Sequence, residues 1–197
     1  MTDIDPSALP LETHPFTPYL PKGAKVLIMG TFPPQPKRWA MDFYYPNPTN
    51  DFWRIIGLII YGDKNRLYAP CTRRFDLPLI CSTLDRCGIA LHDTGHTVRR
   101  LRDNASDKFL DIVTPVDLFG LLKHIPDCHT IASTGEKAAE VISTLTSTPA
   151  PRMGGSVRDE HHGLDIWRMP STSRAYPLPL EQKAAYYENL FHAAGII

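Results

Sequence analysis

Four short, largely apolar runs punctuate this chain: residues 26–29 (Val-Leu-Ile-Met), 89–93 (Ile-Ala-Leu-His-Asp), 130–133 (Thr-Ile-Ala-Ser) and 164–169 (Leu-Asp-Ile-Trp-Arg-Met). The first has a glycine near each end, Gly23 and Gly30, and no polar position inside it. That pattern predicts a central strand buried on both faces of a parallel sheet. Between the runs the apolar spacing lengthens to that of helices. Phe52, Ile55, Ile56, Ile59 and Ile60 recur at helical intervals behind Asn50, a residue type suited to an N-cap, and Tyr61-Gly62-Asp63 closes that helix. Further helices are predicted over residues 79–87 (closed by Gly88), 116–124, 136–146 and 180–194. Residues 65–78 and 148–163 read as loops, and 94–108 as a polar, basic stretch.

Strands that alternate with helices imply a parallel sheet covered on both sides. The expected fold class is therefore α/β: a three-layer α/β/α sandwich with a central, mostly parallel, four-stranded sheet. Sites in such folds sit at the carboxyl ends of the strands. Gly30-Thr31-Phe32-Pro33, His92-Asp93, Ser133-Thr134-Gly135 and Pro170-Ser171-Thr172-Ser173 all fall there. Residues 1–22, with many prolines and no period, are expected to form an N-terminal arm on the surface of a single domain spanning 23–197.

Composition narrows this picture only in places. The 197 residues suit one domain with a real core, and a hydrophobic fraction of 43% is ordinary for a globular chain. No run approaches a membrane span, and the acidic, proline-bearing start is unlike a signal peptide, so the expectation is a cytoplasmic protein without a membrane partner. Lys plus Arg equals Asp plus Glu at 21 each, so bulk charge does not announce a nucleic-acid partner. Any phosphate-binding surface must be local, and Arg99-Arg100-Leu101-Arg102, Lys37-Arg38 and Arg73-Arg74 are the candidate patches. The four cysteines form no CxxC pair, so neither a metal nor another cofactor is expected. His161-His162 are adjacent, and neighbouring side chains diverge in extended chain, which does not suit one metal.

The most distinctive chemistry lies where the first strand runs into Gly30-Thr31-Phe32-Pro33. A dozen residues later comes Phe43-Tyr44-Tyr45-Pro46-Asn47-Pro48-Thr49-Asn50-Asp51-Phe52-Trp53. Aromatic faces and a positioned amide at the mouth of a strand suit a flat heterocycle. Pro170-Ser171-Thr172-Ser173-Arg174 leaves the last strand in the same manner.

These pieces, together with Gly88-Ile89-Ala90-Leu91 before an aspartate and Ile131-Ala132-Ser133-Thr134-Gly135 with Ala138, occur in an order that resembles the uracil-DNA glycosylase superfamily. The likeness runs from about Gly23 to the C-terminus and is greatest to the branch related to hypoxanthine-DNA glycosylase, and more distantly to the mismatch-specific uracil glycosylases. It implies an enzyme that flips a deaminated base out of DNA and hydrolyses its bond to deoxyribose. Such a transition state carries positive charge on the sugar, so electrostatics and positioning should dominate.

The resemblance also assigns residues. In many members the first motif carries an Asp or Asn that orients the attacking water; Phe32 stands there in this chain, which departs from ordinary uracil excision. The hypoxanthine-type branch also lacks a carboxylate at that position, and its important Asn matches Asn50, which becomes the candidate catalytic residue. Tyr45 matches the aromatic that stacks on the base, with Gly30, Thr31, Phe32 and Asn47 as further base-binding candidates; the branch usually has His at the position of Asn47. Pro170, Ser171, Thr172, Ser173 and Arg174 match the loop that grips the DNA backbone. Arg174, where the branch more often has Pro, or Tyr176 could fill the gap a flipped base leaves. Each also has a plain structural reading: Asn as a cap, aromatics as core, Ser and Thr as turn formers.

No lysine falls inside the motifs, so a monofunctional enzyme is expected rather than a Schiff-base lyase; a monomer is expected separately. Loss of the water-positioning group leaves a second possibility, a non-catalytic binder of DNA or nucleobases. A small-molecule α/β enzyme lacks support, since no GxGxxG, P-loop or GxSxG motif is present.

Overall fold

The computed structural model describes residues 8–102 and 107–197; residues 1–7 of the expected N-terminal arm and 103–106 of the polar stretch lie outside the described residues. In chain order the elements are β1 (Leu11–Thr13), β2 (Val26–Gly30), α1 (Phe52–Tyr61), β3 (Tyr68–Ala69), β4 (Arg74–Phe75) and α2 (Leu77–Cys87). Next come β5 (Ile89–Asp93), β6 (Gly95–Arg100), β7 (Leu110–Pro115), α3 (Leu118–Leu122) and β8 (Thr130–Thr134). The chain closes with α4 (Glu136–Thr146), β9 (Ser156–Asp159), β10 (Leu164–Met169) and α5 (Leu180–Ala193).

The central sheet has the order β5-β2-β8-β10-β9. Its first four members are mutually parallel and are the four strands expected from the apolar runs, and β9 joins the edge antiparallel to β10. The expected four-stranded sheet is thus corrected to five strands, the fifth coming from a segment read as loop. Ser156–Asp159 alternates exposed and covered positions at a sheet edge, so it carries no apolar run to betray it.

Alternation along β2 divides the core. Val26 and Ile28 face α1, α2 and α5, packing with Phe52, Ile55, Ile80, Leu84, Tyr187 and Phe191. Leu27 and Met29 point the other way, into a cluster with Leu118 of α3 and Ile142 of α4. Three layers result, as the pattern of fully buried strands requires.

A second, antiparallel sheet, β1-β6-β7, was not expected. Its strands are short or polar, and Val98 and Leu110 pack inward against Phe32, with Ile112 partly buried beside them. β1 and a backbone bridge between Tyr19 and Leu91 tie the N-terminal arm to the domain. The first helix begins one residue later than a cap at Asn50 implies: the N-cap is Asp51, and Asn50 accepts the Phe52 N–H through Oδ1 at 2.9 Å, an Asx turn ahead of the helix.

Chain connectivity places the mouth of the sheet. From β2 the chain passes to β5 on one side, then returns to β8 on the other. The carboxyl ends of β2 and β8 therefore flank the point where the direction of winding reverses, the usual position of a crevice in such sheets.

Candidate functional site

A cleft of about 1290 Å³ opens at that point. All eleven residues singled out by resemblance line it: Gly30, Thr31, Phe32, Tyr45, Asn47, Asn50, Pro170, Ser171, Thr172, Ser173 and Arg174. Segments more than a hundred residues apart in sequence are joined there by hydrogen bonds. Asn50 forms a backbone bridge with Ser173, and Asp51 N–H donates to Thr172 O at 2.8 Å.

The joint is reinforced by charge. Asp51 is 6% exposed and receives Arg174 Nε on Oδ1 at 2.8 Å and Lys183 Nζ on Oδ2 at 3.4 Å. Lys183, 1% exposed on α5, also donates to Ser173 O at 2.8 Å. Buried charges are costly unless paired and hydrogen-bonded. Here one lysine satisfies the loop carbonyl and the carboxylate together, so the two loops share a fixed spacing. Helical lysines ordinarily face solvent, and nothing in the spacing of α5 singled this one out.

Within that frame the Asn50 amide is oriented. A backbone N–H can be met only by the amide oxygen, so the bond from Phe52 assigns Oδ1 and leaves Nδ2 as the group Asn50 offers to a ligand. Asn47 Oδ1 accepts both N–H and Oγ1–H of Thr49 at 2.9 Å, which closes the preceding turn. Ser171 and Ser173 make the same kind of local bond, each accepting an N–H two residues on. Tyr176, on the rim, donates to Met153 Sδ at 3.0 Å.

Tyr45 adopts φ 51°, a left-handed conformation that a tyrosine rarely takes. The strain is held by a stacked contact with Phe52, 3.8 Å between centroids and 17° from parallel, and by a 3.1 Å hydrogen bond between its hydroxyl and Thr134 Oγ1. Burial, with Asp93 nearby, raises its phenol well above the usual range, so it stays neutral. Phe32 is mostly taken up by the small cluster with Val98 and Leu110, stands edge-on to His14 at 5.4 Å, and carries the Arg100 guanidinium 5.5 Å over its ring. Arg100 is engaged further by Glu12 and Pro33 O, and Arg99 lies beside Asp111, so much of the basic run at 99–102 serves the small sheet. Arg38, Lys108, Lys137 and Arg168 bring cationic side chains to the cleft.

Of the carboxyl groups lining the cleft that the resemblance did not assign, Asp93 and Asp107 stand at the strand end beside Gly30 and Thr31. Asp93 ends β5 beside Gly30, and a Cβ at Gly30 would lie 2.4 Å from Asp93 Oδ1. Glycine is therefore what allows the carboxyl to stand at the end of the central strand. Asp93 Oδ2 is 2.8 Å from His14 Nε2, so the arm reaches the site. Asp107 accepts Thr31 Oγ1–H at 2.8 Å through Oδ2. Burial pushes its carboxyl up to about 6, Asp93 adds to the rise, and the Thr31 hydrogen bond, Lys137 and Arg100 oppose it. The sequence offered Asp93 as half of a His-Asp pair at a strand end; Asp107, alone in a polar stretch, carried no signal. His92, the other half, bonds Tyr44 through Nδ1 at 2.8 Å and is lowered by burial, and by His14, to about 4, a neutral structural histidine near pH 7.

No protein-family model matches the chain, and no curated protein matches it in sequence. Its fold is similar to that of a protein from Methanosarcina acetivorans whose solution NMR structure is named "putative Uracil DNA glycosylase", with a TM-score of 0.64. That match has 23% sequence identity and covers 94% of this chain and 99% of the other. The chain thus has a uracil-DNA glycosylase-like fold, with its cleft at the carboxyl ends of the parallel strands.

Proposed function

We propose that this protein is a monofunctional DNA glycosylase that extrudes a deaminated base, hypoxanthine or uracil, and hydrolyses its N-glycosidic bond. The observation that carries the reading is the hydrogen-bonded union of the Asn50 segment with the Pro170–Arg174 loop at the mouth of one cleft. A base at the end of β2 would lie against Tyr45, whose stack on Phe52 holds its ring in place. The Asn50 Nδ2–H would donate to a carbonyl of the base or to the attacking water. Backbone N–H groups and the hydroxyls of Ser171 and Ser173 would meet the phosphates beside the flipped nucleotide, with Arg38, Lys108 and Lys137 drawing the strand in. Arg174 or Tyr176, both lining the cleft, would fill the stack that the base vacates, Arg174 by giving up its bond to Asp51. The fold likeness and the resemblance of the motifs support the same activity.

The loss of a water-orienting group at Phe32 favours a second reading, a binder that flips a base without cleaving it. One experiment separates them. Duplexes containing hypoxanthine, uracil or xanthine are incubated with the protein and then treated with alkali to break abasic sites. The glycosylase reading expects strand breaks with at least one lesion. Asn50→Ala should lower the single-turnover rate by about 10²–10³-fold, with lesion-duplex binding within a few-fold of wild type. Tight, salt-sensitive binding without any strand breaks would establish the binder instead.

A further inference from the structure

The reaction proposed above does not yet use Asp107. This residue opens a short 3-10 turn at the edge of the cleft and is anchored by Thr31, the residue that follows β2. The groups around it come from every side of the site: Thr31 after β2, Asp93 on β5, Arg100 on β6, Tyr45 on the aromatic loop and Lys137 on α4. Lys108 is its neighbour in sequence and also lines the cleft. Asp93 Oδ2 already meets His14. Asp107 thus has a second carboxyl and a neutral phenol for company, in a place partly removed from water. Such surroundings favour the protonated acid, consistent with its upward shift to about 6.

Deaminated bases differ in what they ask of an acid. A purine keeps basic ring nitrogens after glycosidic bonding, so it can be protonated and depart neutral. Uracil has no free basic ring nitrogen and departs as an anion. We propose that Asp107 is a general acid for excision of a purine, donating its proton to a ring nitrogen of the extruded base as the C1′–N bond breaks. The electron pair of that bond goes to the base. Water adds to C1′, and the proton it sheds returns through solvent to the Asp107 carboxylate, so the enzyme ends as it began. This assignment rests on the glycosylase reading and sharpens it toward a deaminated purine.

The test compares single-turnover excision of hypoxanthine and uracil, from pH 5 to 8, by the wild-type protein, Asp107→Asn and Asp107→Glu. Wild-type excision of hypoxanthine should fall as pH rises through about 6, because the acid form is the active one, while any uracil excision lacks that limb. Asp107→Asn should lose about 10²-fold or more on hypoxanthine and remove the limb. Its loss on hypoxanthine should exceed any loss on uracil by about 10-fold or more. Asp107→Glu, which keeps a carboxyl, should recover part of the rate and the pH limb. Equal losses on both bases, or an Asp107→Asn profile like that of wild type, would overturn the assignment and leave the glycosylase reading standing. So would a wild-type hypoxanthine profile flat through this range, which decides the matter even if the variants fold poorly. A wild-type protein that releases no base from any lesion overturns both.

Discussion

The two walls of the cleft are built on different physics. The wall formed by Asn50, Asp51 and residues 171–174 is held by backbone hydrogen bonds, by Arg174 and by the buried Lys183, so its groups are fixed in place. The other wall is made by Asp93, Asp107 and Thr31: Thr31 donates to Asp107, His14 pairs with Asp93, and burial raises the Asp107 carboxyl to about 6. The contrast separates two tasks that a hydrolytic site must combine. A pre-set donor such as the Asn50 Nδ2–H acts through position, which is worth most when nothing has to reorganise. An acid acts through a proton, which requires a carboxyl whose protonated form survives near the working pH.

The largest effect should come from breaking the fixed wall at its anchor. Lys183→Ala leaves the Ser173 carbonyl without its ammonium and Asp51 with less compensation, and is expected to cost about 3–5 kcal/mol in urea unfolding. Lys183→Met, which restores apolar volume, should cost less, and in it DNA binding should weaken more than global stability, because the 171–174 loop is no longer pinned. A Lys183→Ala midpoint close to that of wild type would show that backbone pairing and Arg174 hold this wall without it.

A comparable effect, with opposed contributions, belongs to the titratable side. His92 has a folded value of about 4 against 6.5 unfolded, so the unfolded chain binds more protons between those values. Stability from His92 is complete above pH 6.5 and is lost as pH falls toward 4, by about 3 kcal/mol. Asp107, raised to about 6 from 3.8, has the opposite sign: the folded chain binds more protons in that interval, so stability is greatest below 3.8 and declines as pH rises through 6. The two partly cancel in wild type. Asp107→Asn removes one of them, and its urea midpoint should fall more steeply than that of wild type between pH 6.5 and 4. Parallel curves would place Asp107 in water rather than in the cleft wall.

The smallest change is expected where the walls meet. Tyr45→Phe deletes the hydroxyl that bonds Thr134 but keeps the ring stacked on Phe52, and should cost about 1 kcal/mol or less in stability. Excision should change only a few-fold. A collapse of activity in this variant would move Tyr45 from stacking surface to a polar role.

Several features are legible in the sequence because local physics decides them. Residues 26–29 read as a central strand of a parallel sheet and residues 89–93 as a second strand, since short apolar runs precede the polar site positions. Gly88 and Gly62 ended helices as expected, each with φ near 68°. Polar segments were harder to read. β1, β6, β7 and β9 bury too little apolar surface to leave a period, and their pairing depends on partners elsewhere in the chain.

The composition of the site divides along the same line. Local order in the chain determined the four parallel strands, the glycine at the end of the first, and the aromatic, amide and hydroxyl segments that follow strand ends. Tertiary structure decided which distant groups meet them. The winding of β2, β5, β8 and β10 brought residues 170–174 against Asn50, turned Lys183 inward beneath both, and set Asp107 next to Thr31. Charge placement of this kind leaves no periodic trace, because whether a lysine or an aspartate is solvated or buried depends on what the rest of the fold packs around it.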